Sequence, residues 1–239
     1  MIACVSVDVE HDCPPHLSTW RGLDAGMPRL LDLFAEEAIP ATYFTTGSSA
    51  RRWPDRIAAL VKAGHELGCH GDTHTPFPEM TRAEADGELR RSTETLRSFD
   101  PVTSFRAPFL RLPDAYLDLL VAHGFTLDSS QGRHKHLSAR VYRVGPLWRI
   151  PASITSSTTR WPSFPRDRLL KRLRSPAVLF VHPWEFVDLR REPLRLDYRW
   201  RTGDMALTTL RSAIRVLKGR GATFVRMREV PGLSPSVAP

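Results

Sequence analysis

The chain has 239 residues, a formal net charge of +8 and 41% hydrophobic residues, which suits one globular domain with a true core and excludes a disordered chain. Its three cysteines form no CxxC pair and cannot make a disulfide framework. No apolar run approaches the ~18 residues of a membrane span, and no charged segment precedes an apolar leader, which points to the cytosol. Strand and helix signals then alternate. Ile2–Val9 is an apolar strand, and 27–38 has helical spacing through Leu30, Leu31, Leu33 and Phe34. The run 41–45 is a second strand. Helix 57–62 stops at Gly64, and 65–69 is a third strand. Thr81 and Glu84 make a capping-box pattern that opens a polar helix to about residue 99. Strand 104–106, helix 114–123 before Gly124 and strand 125–128 follow. The stretch 140–151 reads as β structure with loops, 177–182 as a buried strand, 207–218 as a helix and 223–226 as a last strand. This pattern predicts an α/β fold, a distorted (β/α) barrel of about seven strands with its active site at the C-terminal strand ends. Residues 1–230 are expected to form a single catalytic domain, and 231–239 a disordered tail.

Ionisable residues gather where the predicted strands end. The first strand closes on Asp8, Glu10, His11 and Asp12, a costly run of charge unless it binds something. The third leads into His70-Gly71-Asp72-Thr73-His74, two histidines four apart that can face one metal across a helical turn. The strand near 105 runs into Arg106-Ala107-Pro108-Phe109, the next ends in Asp128-Ser129-Ser130, and 177–182 leads into His182-Pro183-Trp184-Glu185. Singly, each has a bland role available: HxxxH recurs by chance, and a histidine after an apolar run is more often a core residue. Their order along the chain carries the information.

That ordered set resembles the polysaccharide deacetylases of carbohydrate esterase family 4, the group built around the nodulation-type chitooligosaccharide deacetylase domain. The resemblance runs from about residue 3 to residue 226. Asp8-Val9-Glu10 is similar to the first motif, in the form that separates its two acids by one residue. His70 and His74 match the metal-binding HxxxH, Arg106-Ala107-Pro108-Phe109 the third motif, Asp128-Ser129-Ser130 the fourth, and Leu179-Phe180-Val181-His182 the fifth. The resemblance implies metal-assisted hydrolysis of an N-acyl group on an amino sugar. It implies Asp8 as base and Glu10, His70 and His74 as ligands of one divalent ion, zinc first, with cobalt, nickel or iron as substitutes. His11 and Asp12 are alternates for the carboxylate ligand, because glutamate stands where the family has aspartate. By the same analogy His182 protonates the leaving amine, Arg106 orients Asp8, Asp128 holds His182 in its useful tautomer, and Phe109 and Trp184 wall the sugar.

The substrate is less legible. Met27-Pro28-Arg29-Leu30-Leu31 is similar to a segment of deformylases that act on an undecaprenyl-phosphate-linked amino sugar. Arginine supplies 30 of the 34 basic residues, which suits a phosphate or carboxylate partner, or simply an arginine-rich genome. The segment 160–174 interleaves Arg160, Arg166, Arg168, Lys171, Arg172 and Arg174 with Trp161 and Phe164. It reads as a surface for an anionic membrane or as an ordinary solvated helix. A phosphate-bearing or lipid-linked N-acetyl or N-formyl sugar is therefore one expectation, with neutral N-acetylglucosamine polymers or a non-sugar amide as the alternatives. No nucleic-acid motif accompanies the positive charge, so no nucleic-acid partner is expected. Oligomeric state leaves no trace in the sequence.

Overall fold

The computed structural model describes residues 1–133 and 140–233. Nine strands are found among them: β1 (Ile2–Val9), β2 (Thr42–Thr45), β3 (Glu66–Cys69), β4 (Ser104–Phe105), β5 (Leu127–Asp128), β6 (Tyr142–Val144), β7 (Leu147–Arg149), β8 (Ala177–Val181) and β9 (Thr223–Phe224). Their order in the sheet is β6-β7-β5-β4-β3-β2-β1-β8. Every pairing is parallel except the β6–β7 hairpin. β9 pairs with Ile2 and Ala3 on the side of β1 that β2 occupies further along. The sheet curls until its two ends meet. Ser153, just beyond β7, donates its N–H to the Val178 carbonyl at 2.8 Å, and its Oγ accepts the Val178 N–H at 2.9 Å. A single residue closes the curve where a full strand would close a regular barrel.

Helices cover the outside. The main ones are α1 (Met27–Glu36), α2 (Gly47–Arg52), α3 (Pro54–Lys62), α4 (Arg82–Leu96), α5 (Leu117–Ala122), α6 (Ser156–Thr159), α7 (Ser163–Leu170), α8 (Leu196–Arg199), α9 (Asp204–Gly219) and α10 (Val230–Leu233). In α1, Met27, Leu30, Leu33 and Phe34 fall on one stripe and are buried. Each such side chain contributes about 1.5–3 kcal/mol. Thr81 and Glu84 form the expected capping box at the start of α4. α9 starts three residues before the predicted 207, because Gly203 at φ 72° turns the chain into it. Residues 231–233 of the predicted tail are helical, as part of α10, and 234–239 lie outside the described residues. Among the described residues, no helix is long and apolar enough to cross a membrane.

One core histidine makes a pH prediction. His65 accepts the Ala41 N–H at Nδ1 (3.2 Å) and packs against Tyr43 and Phe34. Burial, helped by nearby Arg226, lowers its pKa to about 4. Between that value and the usual ~6.5 the unfolded chain holds a proton that the native state lacks, so stability falls as pH drops through this window. Urea unfolding at pH 7.5 and 4.5 should show the parent losing roughly 2 kcal/mol more than His65→Gln. Equal losses would remove His65 from the account.

Candidate active site

The parallel strands of the curl point their C-terminal ends the same way, and the ends of β1, β3, β4 and β8 deliver Asp8, Glu10, His70, Arg106 and His182 to one region. A cavity of about 270 Å³ opens there. Its walls include Asp8, Glu10, His70, His74, Phe109, Phe180, His182, Trp184 and Tyr198.

Glu10, His70 and His74 bring three donor atoms within 4.8 Å of one another, all buried. The His70 Nδ1 lies 2.7 Å from the Arg106 carbonyl, a pure acceptor. The ring proton is therefore held on Nδ1, and Nε2 faces Glu10 at 3.5 Å with its lone pair available. The His74 Nε2 abuts the same Glu10 oxygen. Its Nδ1 is buried and has no hydrogen-bond partner among the described residues. Burial would raise the Glu10 carboxyl, but His74, His182 and His70 outweigh it and hold it well below the usual carboxylate range. Two imidazole nitrogens and a carboxylate oxygen fit a divalent ion of the zinc type. His74 sits at φ 65°, a conformation that a non-glycine residue occupies at a cost, as residues at functional sites often do.

The alternates for the carboxylate ligand are placed elsewhere. Both Asp12 oxygens are engaged: one accepts the Thr19 hydroxyl (2.7 Å) and the Arg21 N–H (2.8 Å), the other the Gly22 N–H (2.8 Å). The His11 ring lies 6.0 Å from the His74 ring, beside Trp20, and stands outside the donor cluster.

Arg106 is fully buried and reaches Asp8 at 2.6 Å. It also bonds Ser6 and Ser129, and its guanidinium lies over Phe44 at 4.3 Å. Asp8 thus has one oxygen fixed by a cation while its carboxylate borders the cavity.

His182 does not meet Asp128. Asp128 is paired with Arg149 at 2.9 Å, its direct neighbour in register on β7, and it also binds Ser130. Burial raises its pKa despite that arginine. The carboxylate at His182 is Glu185, whose Oε1 lies 2.9 Å from Nδ1. Burial opposes charge on His182, but Glu10, Glu185 and Asp8 prevail and raise its pKa above the ordinary histidine value. The other ring nitrogen, Nε2, is 3.8 Å from Glu10.

Trp184 stacks on the His182 ring at 4.7 Å and 18°, and its indole N–H donates to Glu10 at 3.3 Å. It is almost fully buried, so it braces the site more than it offers a face to a sugar. The brace depends on a close backbone approach. A Cβ on Gly26 would lie 2.0 Å from the Pro183 carbonyl oxygen, and one on Gly22 2.5 Å from the Trp184 nitrogen. Phe109 is 38% exposed and packs edge-on against His74 at 4.7 Å, which leaves one of its surfaces to the opening.

Sequence reasoning missed Arg160, Tyr198 and residues 155–157, which also line the cavity. A small part of the arginine content has an internal role. Arg106, Arg149, Arg160 and Arg166 are all buried. Arg160 binds three backbone carbonyls, and Arg166 binds the Thr209 carbonyl and the Ser212 hydroxyl. Two of the six basic residues in 160–174 are therefore clamps within the fold, whereas Arg168, Lys171, Arg172 and Arg174 are exposed beside Trp161 and Phe164.

Residues 12–127 match the family model described as polysaccharide deacetylase. That span holds His70, His74 and Arg106, whereas Asp8, Glu10 and His182 lie outside it and rest on geometry. A peptidoglycan deacetylase of Helicobacter pylori is 34% identical over 142 residues, which are 57% of this chain and 47% of that protein. A chitooligosaccharide deacetylase of Sinorhizobium fredii is 32% identical over 85 residues, 34% of this chain and 40% of the relative. The chain thus spans about half the length of the curated relatives it matches. Among solved structures, a family 4 carbohydrate esterase from Streptomyces lividans superposes with a TM-score of 0.65 at 16% identity, covering 100% of this chain and 97% of that one. A pseudoenzyme of the same esterase family from Bacillus anthracis gives 0.64 at 15% identity, over 96% and 64% of the two chains. These likenesses concern the fold. Sequence and fold lead to one group, and the chain belongs to the polysaccharide deacetylase family.

Proposed function

We propose that this chain hydrolyses the N-acyl group of an amino sugar. The observation that supports it most is an acid–base pair facing one cavity around a metal-type cluster: Asp8 held by Arg106, and His182 held by Glu185. A divalent ion at Glu10, His70 and His74, zinc or a substitute such as cobalt, nickel or iron, would act as a Lewis acid on the acyl carbonyl and make water more acidic. Asp8 accepts a proton from the attacking water, whose oxygen bonds to the carbonyl carbon. His182 gives its Nε2 proton to the amine nitrogen as the C–N bond breaks, so the products are a carboxylic acid and a free amine. Arg106 restrains Asp8 from rotating away.

The walls favour a neutral sugar. Phe109, Leu110, Phe180 and Tyr198 supply apolar surface, and residues 155–157 supply hydroxyls. Arg160 is the one arginine among the described lining residues, and its nitrogens already face carbonyls and Glu185. A phosphate-bearing or lipid-linked substrate would therefore place its phosphate outside this cavity; the exposed bases of 168–174 lead into the start of β8, where Ser175 accepts the Ile2 N–H, at the other end of the strands. The test is metal analysis of the pure protein joined to a screen of N-acetyl and N-formyl amino sugars, free, polymeric, nucleotide-linked and lipid-linked. One metal per chain and chelator-sensitive release of a free amine are expected. A metal-free protein that hydrolyses none of these substrates would overturn the reading.

A further inference from the structure

Glu185 lies three residues past His182, on the short turn Pro183–Phe186. Proline opens the turn and fixes its first φ, and the Glu185 side chain folds back over it. One oxygen, Oε1, accepts the His182 backbone N–H at 2.9 Å and faces the ring Nδ1 at 2.9 Å. The other, Oε2, is ion-paired with the Arg160 Nε at 2.8 Å. Both residues are buried, Glu185 completely. The remaining Arg160 nitrogens donate to the carbonyls of Asp197 (2.9 Å), Tyr198 (3.0 Å) and Trp200 (2.6 Å). The Arg160–Glu185 contact is one of charges, since neither Arg160 Nε nor Glu185 Oε2 has a hydrogen-bond partner among the described residues. The His182 backbone N–H anchors one carboxylate oxygen, and a guanidinium held by three carbonyls attracts the other.

An ionised carboxylate only accepts, so the ring proton beside it must sit on Nδ1. The opposite nitrogen, Nε2, is thereby turned toward the cavity. Trp184, stacked on the ring, fixes its plane. A buried Glu–Arg pair generally gives less stability than apolar residues of the same volume would, so packing alone does not account for this one.

We propose that Glu185, clamped by Arg160, is the positioning residue that sets the orientation and tautomer of His182, the task that family resemblance assigns to Asp128. This rests on the reading of His182 as the proton donor to the leaving amine. The same clamp ties that task to a substrate wall, since Arg160 holds the carbonyls of Asp197 and Tyr198 and both residues line the cavity.

The test uses nitrogen-15 NMR of the histidine rings at a pH where they are neutral, with His182 assigned from the spectrum of His182→Gln. In the parent, His182 should show a single tautomer protonated at Nδ1. In Glu185→Ala it should become a mixture. Turnover on the best substrate of the sugar screen should fall on the order of 10²-fold or more, with KM changed less than ~3-fold and metal content unchanged. Glu185→Gln keeps an oxygen toward the two His182 donors but turns its amide against Arg160. It should keep the tautomer and lose about 10-fold in kcat. Retention of the Nδ1-protonated tautomer in Glu185→Ala, or unchanged kcat with only a lower Tm, would overturn the proposal. A mixed tautomer in Asp128→Asn with none in Glu185→Ala would return the role to Asp128. Should Glu185→Ala fail to fold, Glu185→Gln decides: ring signals and kcat both equal to the parent's would overturn the proposal. A parent that hydrolyses no sugar would end the deacylase reading and leave the NMR result to decide the positioning role by itself.

Discussion

Replacing His74 by alanine is expected to strip the metal from the protein without unfolding it. His74 and His70 present Nε2 to one Glu10 oxygen, so each side chain supplies about a third of the protein donor set. Loss of an outer-sphere partner costs ~10–100-fold in metal affinity, and loss of a direct ligand should exceed that. The fold should survive, because His74 lies in the loop after β3, outside the hydrophobic core. Its backbone offers a control. At φ 65° a glycine has no steric penalty, so His74→Gly should lose metal as alanine does yet unfold at higher urea than His74→Ala. Metal content by atomic emission and urea midpoints for both variants check this. Stoichiometric metal in either variant would remove His74 from the ligand set.

Much of this site could be read from sequence because its residues follow apolar strands. Asp8 and Glu10 close Ile2–Val9, and His182 follows Ala177–Val181, all five residues of which are buried. A parallel sheet puts such ends on one edge, so order along the chain becomes neighbourhood in space. Asp128 meets the same criterion, since it closes β5, yet it is held away from the role at His182 by register. Arg149 stands directly opposite on β7, and a buried carboxylate pairs with the nearest cation. Nothing in the 140–151 stretch marks Arg149 as that partner. Glu185 did carry a signal, since proline followed by an acid at the third turn position is a capping pattern. Its meaning was hidden because the cap also binds the ring of the residue it caps. Arg160 could not be found from its surroundings in sequence: it sits in a basic, aromatic stretch that looks solvent-facing, and only the folded chain shows its nitrogens turned inward. The strand count came out low for a related reason, as β6 and β7 are three residues each and share one loop-rich stretch.

Asp8→Asn is expected to keep its metal and lose turnover by on the order of 10²–10⁴-fold, which corresponds to about 3–5 kcal/mol in the barrier. The substitution removes a base and leaves Glu10, His70 and His74 in place. A second, separable effect follows from Arg106. Its guanidinium is fully buried between Phe44, Ser6, Ser129 and Asp8, and Asp8 is the carboxylate that faces it at 2.6 Å. Asparagine still offers Oδ1 as an acceptor but no charge. Removing a partner outright from a buried pair costs ~3–5 kcal/mol, whereas keeping the hydrogen bond should limit the loss to about 1–3 kcal/mol. The variant should therefore unfold at lower urea while staying native at 25 °C, and its residual activity should be that of folded protein. Asp8→Ala, which gives up the acceptor as well, should be less stable still and no slower than Asp8→Asn, because the base is already lost. Metal content, urea midpoint and turnover measured on the same preparations separate the two effects. If metal disappears with Asp8 while Glu10→Gln retains it, the two acids must exchange roles, and Arg106 would then be holding a ligand in place of a base.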